Sequence, residues 1–213
     1  MKNNIVKECD NEYKQRVKAL QGIIISAYFD YFYLIEIGNH TKEYRENGIT
    51  KSLFKPAIDL VNTIIRSIQK DLILLLCALE DDDNNANSLK HLKANLHKCI
   101  PNVQNYSKQF LKIPSAEQNT AKKARNKAIA HIEFGGKIEK VNMLEVKKRV
   151  DLLKECFNSY LIGDMIKFSV SDEDIKKMEK RAKTGVDLLL SGTMDNFYLL
   201  HKRNTIITDS GEE

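Results

Sequence analysis

The feature that most constrains this chain is a pair of long stretches in which apolar residues recur every three or four positions. In the first, Val17, Leu20, Ile24, Ala27, Tyr31 and Leu34 follow Tyr13 along one face of a helix that the spacing ends at Gly38. Its second half is apolar nearly all round, through Ile23, Ile25, Tyr28, Phe29, Phe32 and Tyr33, which predicts a helix sandwiched between neighbours. At this spacing the aromatic residues read as core rather than as a platform for stacking bases. The polar stretch from Asn39 to Thr50 is expected to form a loop. In the second, Phe54, Ile58, Val61, Ile65, Ile68, Leu72, Leu75 and Leu79 repeat the pattern, with Pro56 in the first turn, where its missing N–H costs little. A helix from Leu53 to Leu79 would run about 40 Å, matching the first for antiparallel packing.

Shorter helices follow. The acidic run Glu80-Asp81-Asp82-Asp83 stops the second helix, since like charges gather at its negative end, and it reads as a solvated turn. Asn87 is expected to cap a short surface helix carrying Leu89, Leu92 and Leu96. A further helix is predicted from Ala116 to His131, broken by Phe134-Gly135-Gly136. Asn142-Met143-Leu144-Glu145 has the form of a capping box opening an apolar stripe of Leu144, Val150, Leu153, Phe157, Tyr160 and Leu161. Ser171-Asp172-Glu173-Asp174 opens a last helix, with Gly185 as a soft point and a frayed tail beyond Asn204. With only 9 Gly and 3 Pro in 213 residues, no strand of useful length survives. The expected fold is all-α: an antiparallel bundle with two long core helices over 1–165, an appended helical extension over 166–204, and a disordered tail over 205–213.

Composition excludes several classes of function. Cys9, Cys77, Cys99 and Cys156 are far apart and read as buried thiols, and no Cys or His spacing fits a structural metal. No cofactor is implied. The most apolar windows, Ile23 to Ile37 and Leu72 to Leu79, fall short of the roughly 20 residues that span a bilayer. With no export signal at the N-terminus, the reading is a cytoplasmic protein without a membrane partner. A net charge of +5 permits a polyanionic partner but, spread over 34 basic and 29 acidic residues, does not demand one.

The chemistry concentrates in Lys122-Lys123-Ala124-Arg125-Asn126-Lys127-Ala128-Ile129-Ala130-His131, which sets four cations, an amide and an imidazole among small residues. An Arg fork suits phosphate oxygens, Lys adds point charge, and a neutral His accepts a proton near physiological pH. Those are the parts that metal-free RNA cleavage requires. On a continuous helix six residues advance about 600°, so Arg125 and His131 point about 120° apart, and one protomer alone makes a poor site. Either a twofold dimer gathers both copies around one cleft, or the helix breaks near His131.

Arg125-Asn126 and His131, with five residues between the Arg and the His, resemble the motif of HEPN domains. Leu74 to Asp81 ahead of Ser88-Leu89-Lys90-His91-Leu92 is similar to the abortive-infection AbiU-like branch, and the likeness covers roughly Val17 to Leu161. The resemblance implies a homodimer whose motif helices face across a cleft. Many such proteins are metal-independent endoribonucleases in phage defence or toxin-antitoxin pairs, so RNA and an antitoxin protein are the implied partners. It also implies roles: Arg125 stabilising the scissile phosphate, His131 as general base or acid, and Asn126 orienting one of them, with Lys122, Lys123 and Lys127 holding RNA. Glu133 stands where the family's commoner form has an aspartate. A non-catalytic HEPN module that binds RNA, a nucleotide or a protein is the alternative.

Overall fold

The computed structural model describes residues 2–46, 55–81, 87–99, 110–111 and 142–209. Every element among them is helical: α1 (Lys2–Glu46), α2 (Lys55–Leu79), α3 (Leu89–Cys99), α4 (Met143–Ser159), a 3-10 helix (Gly163–Phe168) and α5 (Asp172–Asp209). The all-α bundle follows from the three-and-four spacing of its apolar residues, which only a helix gathers on one side.

The first helix is the hub, packing against α2, α3, α4, the 3-10 helix and α5. Its Tyr13, Val17, Leu20, Ile24, Ala27, Tyr28 and Phe32 are buried together with Leu72, Leu76 and Leu79 of α2, Leu89, Leu92 and Leu96 of α3, and Val150, Leu153 and Phe157 of α4. Val61, Ile64, Ile65 and Ile68 pack against a cluster formed by Ile37 with Val186 and Leu190, whereas Asp30 feels Asp71, so α2 runs antiparallel to α1. The same logic sets α4 antiparallel, since Tyr13 donates a hydrogen bond to the carbonyl of Tyr160 while Tyr28 donates to Asp151 at 2.7 Å. The last helix lies parallel to α1: Gln21 donates to the carbonyl of Phe168 at 2.8 Å, Arg181 sits over the Phe29 ring, and Gly185 lies against Tyr33.

Helix boundaries depart from the sequence expectation in physically instructive ways. The first helix does not stop at Gly38 but continues to Glu46, so most of the stretch expected as a loop is helical. Gly38 has no atom within 4 Å of where a Cβ would sit, and its neighbours hold the helix on both sides: Ile37 packs on α5, and His40 bonds to Asp187 at 2.7 Å. Tertiary contacts override a weak local preference for termination. Likewise α5 continues past Asn204, where a frayed tail was expected, to Asp209.

Several caps match their sequence signatures. Asn142 accepts a hydrogen bond from the N–H of Leu144 at 3.1 Å, and Ser171 and Asp174 exchange bonds reciprocally at 3.0 and 3.1 Å. The cap of α3 is Ser88 rather than Asn87: the carbonyl of Ser88 accepts from Leu92, its hydroxyl pairs with His91 at 2.9 Å, and Asn87 instead accepts from Arg16 at 3.2 Å. Leu144, expected in the core stripe, is exposed. At the first residue of the 3-10 helix, Gly163 takes a positive φ of 51°, a conformation that side chains disfavour. The side-chain amide of Asn158 brackets this turn, donating to and accepting from the backbone of Val170 at 3.0 Å each way.

By length and composition alone, Asn11–Lys42 is apolar enough to cross a membrane, where the sequence reading found its apolar windows too short. That stretch is the centre of α1, and Val17, Leu20, Ile24, Ala27 and Tyr28 within it are fully enclosed by the other helices.

Candidate functional site

The motif residues Arg125, Asn126 and His131, with Lys122, Lys123, Lys127 and Glu133, lie outside the described residues, as does the helix expected from Ala116 to His131. The structure describes the frame on either side of them. Upstream, Phe110 packs edge-on against Tyr160 with ring centres 5.9 Å apart. The N–H of Leu111 donates to Ser159 Oγ at 3.2 Å, and the Tyr160 hydroxyl donates to the Leu111 carbonyl at 2.6 Å. Downstream, Asn142 caps the start of α4. The described points that bound the motif stretch therefore sit at opposite ends of α4, whose 17 residues make it about 25 Å long.

Fixed polar contacts line that helix. Asp151 accepts from Tyr28 at 2.7 Å and from Lys147 at 2.8 Å. Burial, reinforced by Asp151, pushes the Tyr28 hydroxyl well above the usual tyrosine range, so it stays a donor. Burial does the same to Tyr160. Lys154 is enclosed yet charged: burial pulls its pKa down, but hydrogen bonds to Asp172 and Glu155 more than offset this, leaving it raised. Through Asp172, at 2.8 Å, it ties α4 to the start of α5. Burial raises the Cys156 thiol, although Arg149 and Lys93 pull the other way, so it is a poor nucleophile and packs as a small apolar group.

Glu80 and Arg149 form the feature that sequence reading missed. The acidic run places Glu80 in a solvated turn, but its side chain is 3% exposed and accepts a hydrogen bond from Nε of Arg149, itself 13% exposed. Among the described residues, Glu80 Oε2 and Arg149 Nη2 are buried with no hydrogen-bond partner. A signal was present in the sequence: Arg149 lies four and seven residues before Leu153 and Cys156, in register with the buried face of α4. An arginine there needs a carboxylate from a facing helix. The pair locks the C-terminal end of α2 onto α4.

The histidines outside the motif act structurally where they are described. His91 helps close the α3 cap, and His40, expected in a loop, joins α1 to α5. Among the described residues, no cluster of three or more His, Cys, Asp or Glu side chains is arranged to hold a metal ion.

No curated protein and no solved structure matches the chain. The family model HEPN_AbiU2, described as AbiU2, matches residues 10–163, a span running from the start of the α1 core through the Arg125–His131 stretch to the end of α4. An all-helical bundle, a match over well over half the chain, and the Arg-Asn-x4-His motif inside the matched span agree, and the chain belongs to the AbiU2 family of HEPN proteins.

Proposed function

We propose that this protein is a metal-independent endoribonuclease serving phage defence or a toxin-antitoxin pair. The observation that carries the reading is that the family match encloses Arg125, Asn126 and His131 in the order and spacing of the HEPN motif. In this reading two copies of the chain meet so that both motif segments face one cleft, which overcomes the 120° divergence of Arg125 and His131 on a continuous helix. Arg125 binds the scissile phosphate and stabilises the charge that builds on its oxygens as the 2′-hydroxyl attacks. His131 takes the 2′ proton as general base or returns one to the leaving 5′ oxygen as general acid, and Asn126 orients one of the pair. The P–O5′ bond breaks, leaving a cyclic phosphate and a free 5′-hydroxyl. Lys122, Lys123 and Lys127 hold flanking phosphates. No cofactor takes part, the setting is the cytoplasm, and an antitoxin protein is a further partner.

Glu133 favours a second reading. A longer carboxylate two residues after the histidine alters the reach of any contact it makes there, and a non-catalytic module binding RNA, a nucleotide or a protein through the same cleft would tolerate that change. Incubating RNA with the purified protein in EDTA separates the two. Cleavage by the wild type that is lost in His131→Ala supports the nuclease; RNA binding without cleavage selects the module. Light scattering tests the cleft separately: a dimer at micromolar concentration is expected, and a monomer contradicts a shared site.

A further inference from the structure

We propose that Ser159 and Tyr160, where α4 ends, are positioning residues: they clamp the backbone of Leu111 and so set where the Arg125–His131 segment joins the bundle. The inference rests on the reading of that segment as the cleavage site. The clamp takes both polar backbone groups of one residue. Ser159 Oγ accepts from the N–H of Leu111 at 3.2 Å, and the Tyr160 hydroxyl donates to the Leu111 carbonyl at 2.6 Å. Two adjacent side chains thus fix the direction of the chain at residue 111 as well as its distance from α4, which one bond alone would leave free to swivel. Apolar burial does not hold Leu111, whose side chain is 44% exposed. The neighbouring Phe110 packs edge-on to the Tyr160 ring, so the same tyrosine holds two consecutive residues.

Each half of the clamp is itself held. Ser159 donates to the carbonyl of Cys156 at 2.7 Å, which fixes its hydroxyl proton and leaves a lone pair for Leu111. The Tyr160 ring is fully enclosed, Tyr13 of α1 donates to its carbonyl, and Lys93 Nζ of α3 stands 5.8 Å from its ring centre. Burial keeps its hydroxyl protonated and therefore a donor. Side chains from α1 and α3 thus brace a clamp built on α4, the kind of rigid support that precise placement needs. The sequence carries that placement forward. Between Leu111 and the helix expected from Ala116 stand Lys112, Ile113, Pro114 and Ser115. Pro114 has a fixed φ and restricts Ile113 before it, so this short tether has few free dihedrals to absorb a shift at Leu111. A displacement of about 1 Å passed on to a reacting group can cost about a hundredfold in rate.

The test makes two measurements on the purified protein: steady-state cleavage of a labelled single-stranded RNA oligonucleotide of mixed sequence in EDTA, and hydrogen–deuterium exchange of peptides covering residues 112–131. Ser159→Ala/Tyr160→Phe should lower kcat by about tenfold or more, leave KM within about twofold, and speed exchange over 112–131. Tyr28→Phe is the control, since it removes a comparable hydroxyl bond, to Asp151 near the middle of α4. It should keep kcat and the exchange of 112–131 at wild-type values, although both tyrosine changes cost similar stability. Tyr160→Phe alone should show the same changes in smaller measure, and it serves in place of the double variant should that one fail to fold. With a wild type that cleaves, unchanged kcat or unchanged exchange in the clamp variant overturns this inference alone, as do equal changes in Tyr28→Phe. A wild type that does not cleave removes the nuclease reading, and exchange then decides the clamp: faster exchange confined to 112–131 sustains it, and none removes it.

Discussion

Glu80 and Arg149 show how much can rest on one pair of side chains. Each is enclosed, each satisfies only part of the other, and a lone charge in that place would face a heavy desolvation cost. Glu80→Met or Arg149→Met alone should therefore lower unfolding free energy by about 3 kcal/mol, whereas Glu80→Met/Arg149→Met should cost far less than the two summed. Chemical denaturation of the four proteins of this cycle measures the coupling, and additive losses would contradict it. Asp30 behaves oppositely. Burial first and Asp71 second raise its carboxyl from the usual 3.8 to about 6. Between those values the folded chain holds a proton that the unfolded chain has released, so this group's contribution to stability falls as pH rises from about 4 to 6 and the penalty is complete above that. Asp30→Asn should remove this slope and, because the site is only half-buried, stabilise the protein by about 1 kcal/mol at pH 7.5. Melting curves at pH 5 and 7.5 test it: a larger gain at pH 5 would mean the sign is wrong. The states of Glu80 and Asp30 are not legible in the sequence, because packing against another helix decides them, whereas Arg149 leaves a signal in its register with the buried face of α4.

At the scale of elements, periodicity carried most of the architecture. The spacing of Val17, Leu20 and Ile24, and of Leu72, Leu75 and Leu79, identified both long helices and their buried sides, since a helix without an enclosed stripe has nothing to hold it. Caps were legible where a side chain bonds its own helix, as at Asn142 and Ser171. Ends were not legible where neighbours decide, as at Gly38, which α5 and α2 keep inside α1. Gly38→Ala should accordingly stabilise by about 0.8 kcal/mol, because a helical glycine is being replaced in open space. Gly163→Ala also meets no atom, yet should destabilise by about 1 kcal/mol, since its positive φ suits glycine alone. Thermal unfolding of both variants distinguishes the cases; shifts of the same sign would contradict this account of the two backbones.

At the scale of the whole molecule, α1 organises the bundle: α2 and α4 run against it, α5 runs with it, and α3 closes one side. Family membership followed from the order of elements and from Arg125, Asn126 and His131, all readable from the chain because each is a short-range pattern. How those three side chains would gather around a phosphate is not readable, because on a continuous helix they would diverge and the proposed cleft depends on a second copy. What joins the helical frame to its proposed chemistry is attack by the RNA's own 2′-hydroxyl without a metal. End-group analysis of RNA incubated with the purified protein in EDTA tests this most directly. The account predicts 2′,3′-cyclic phosphate and 5′-hydroxyl termini from the wild type and none from Arg125→Ala or His131→Ala; 5′-phosphate ends, or undiminished cleavage in both variants, would contradict it.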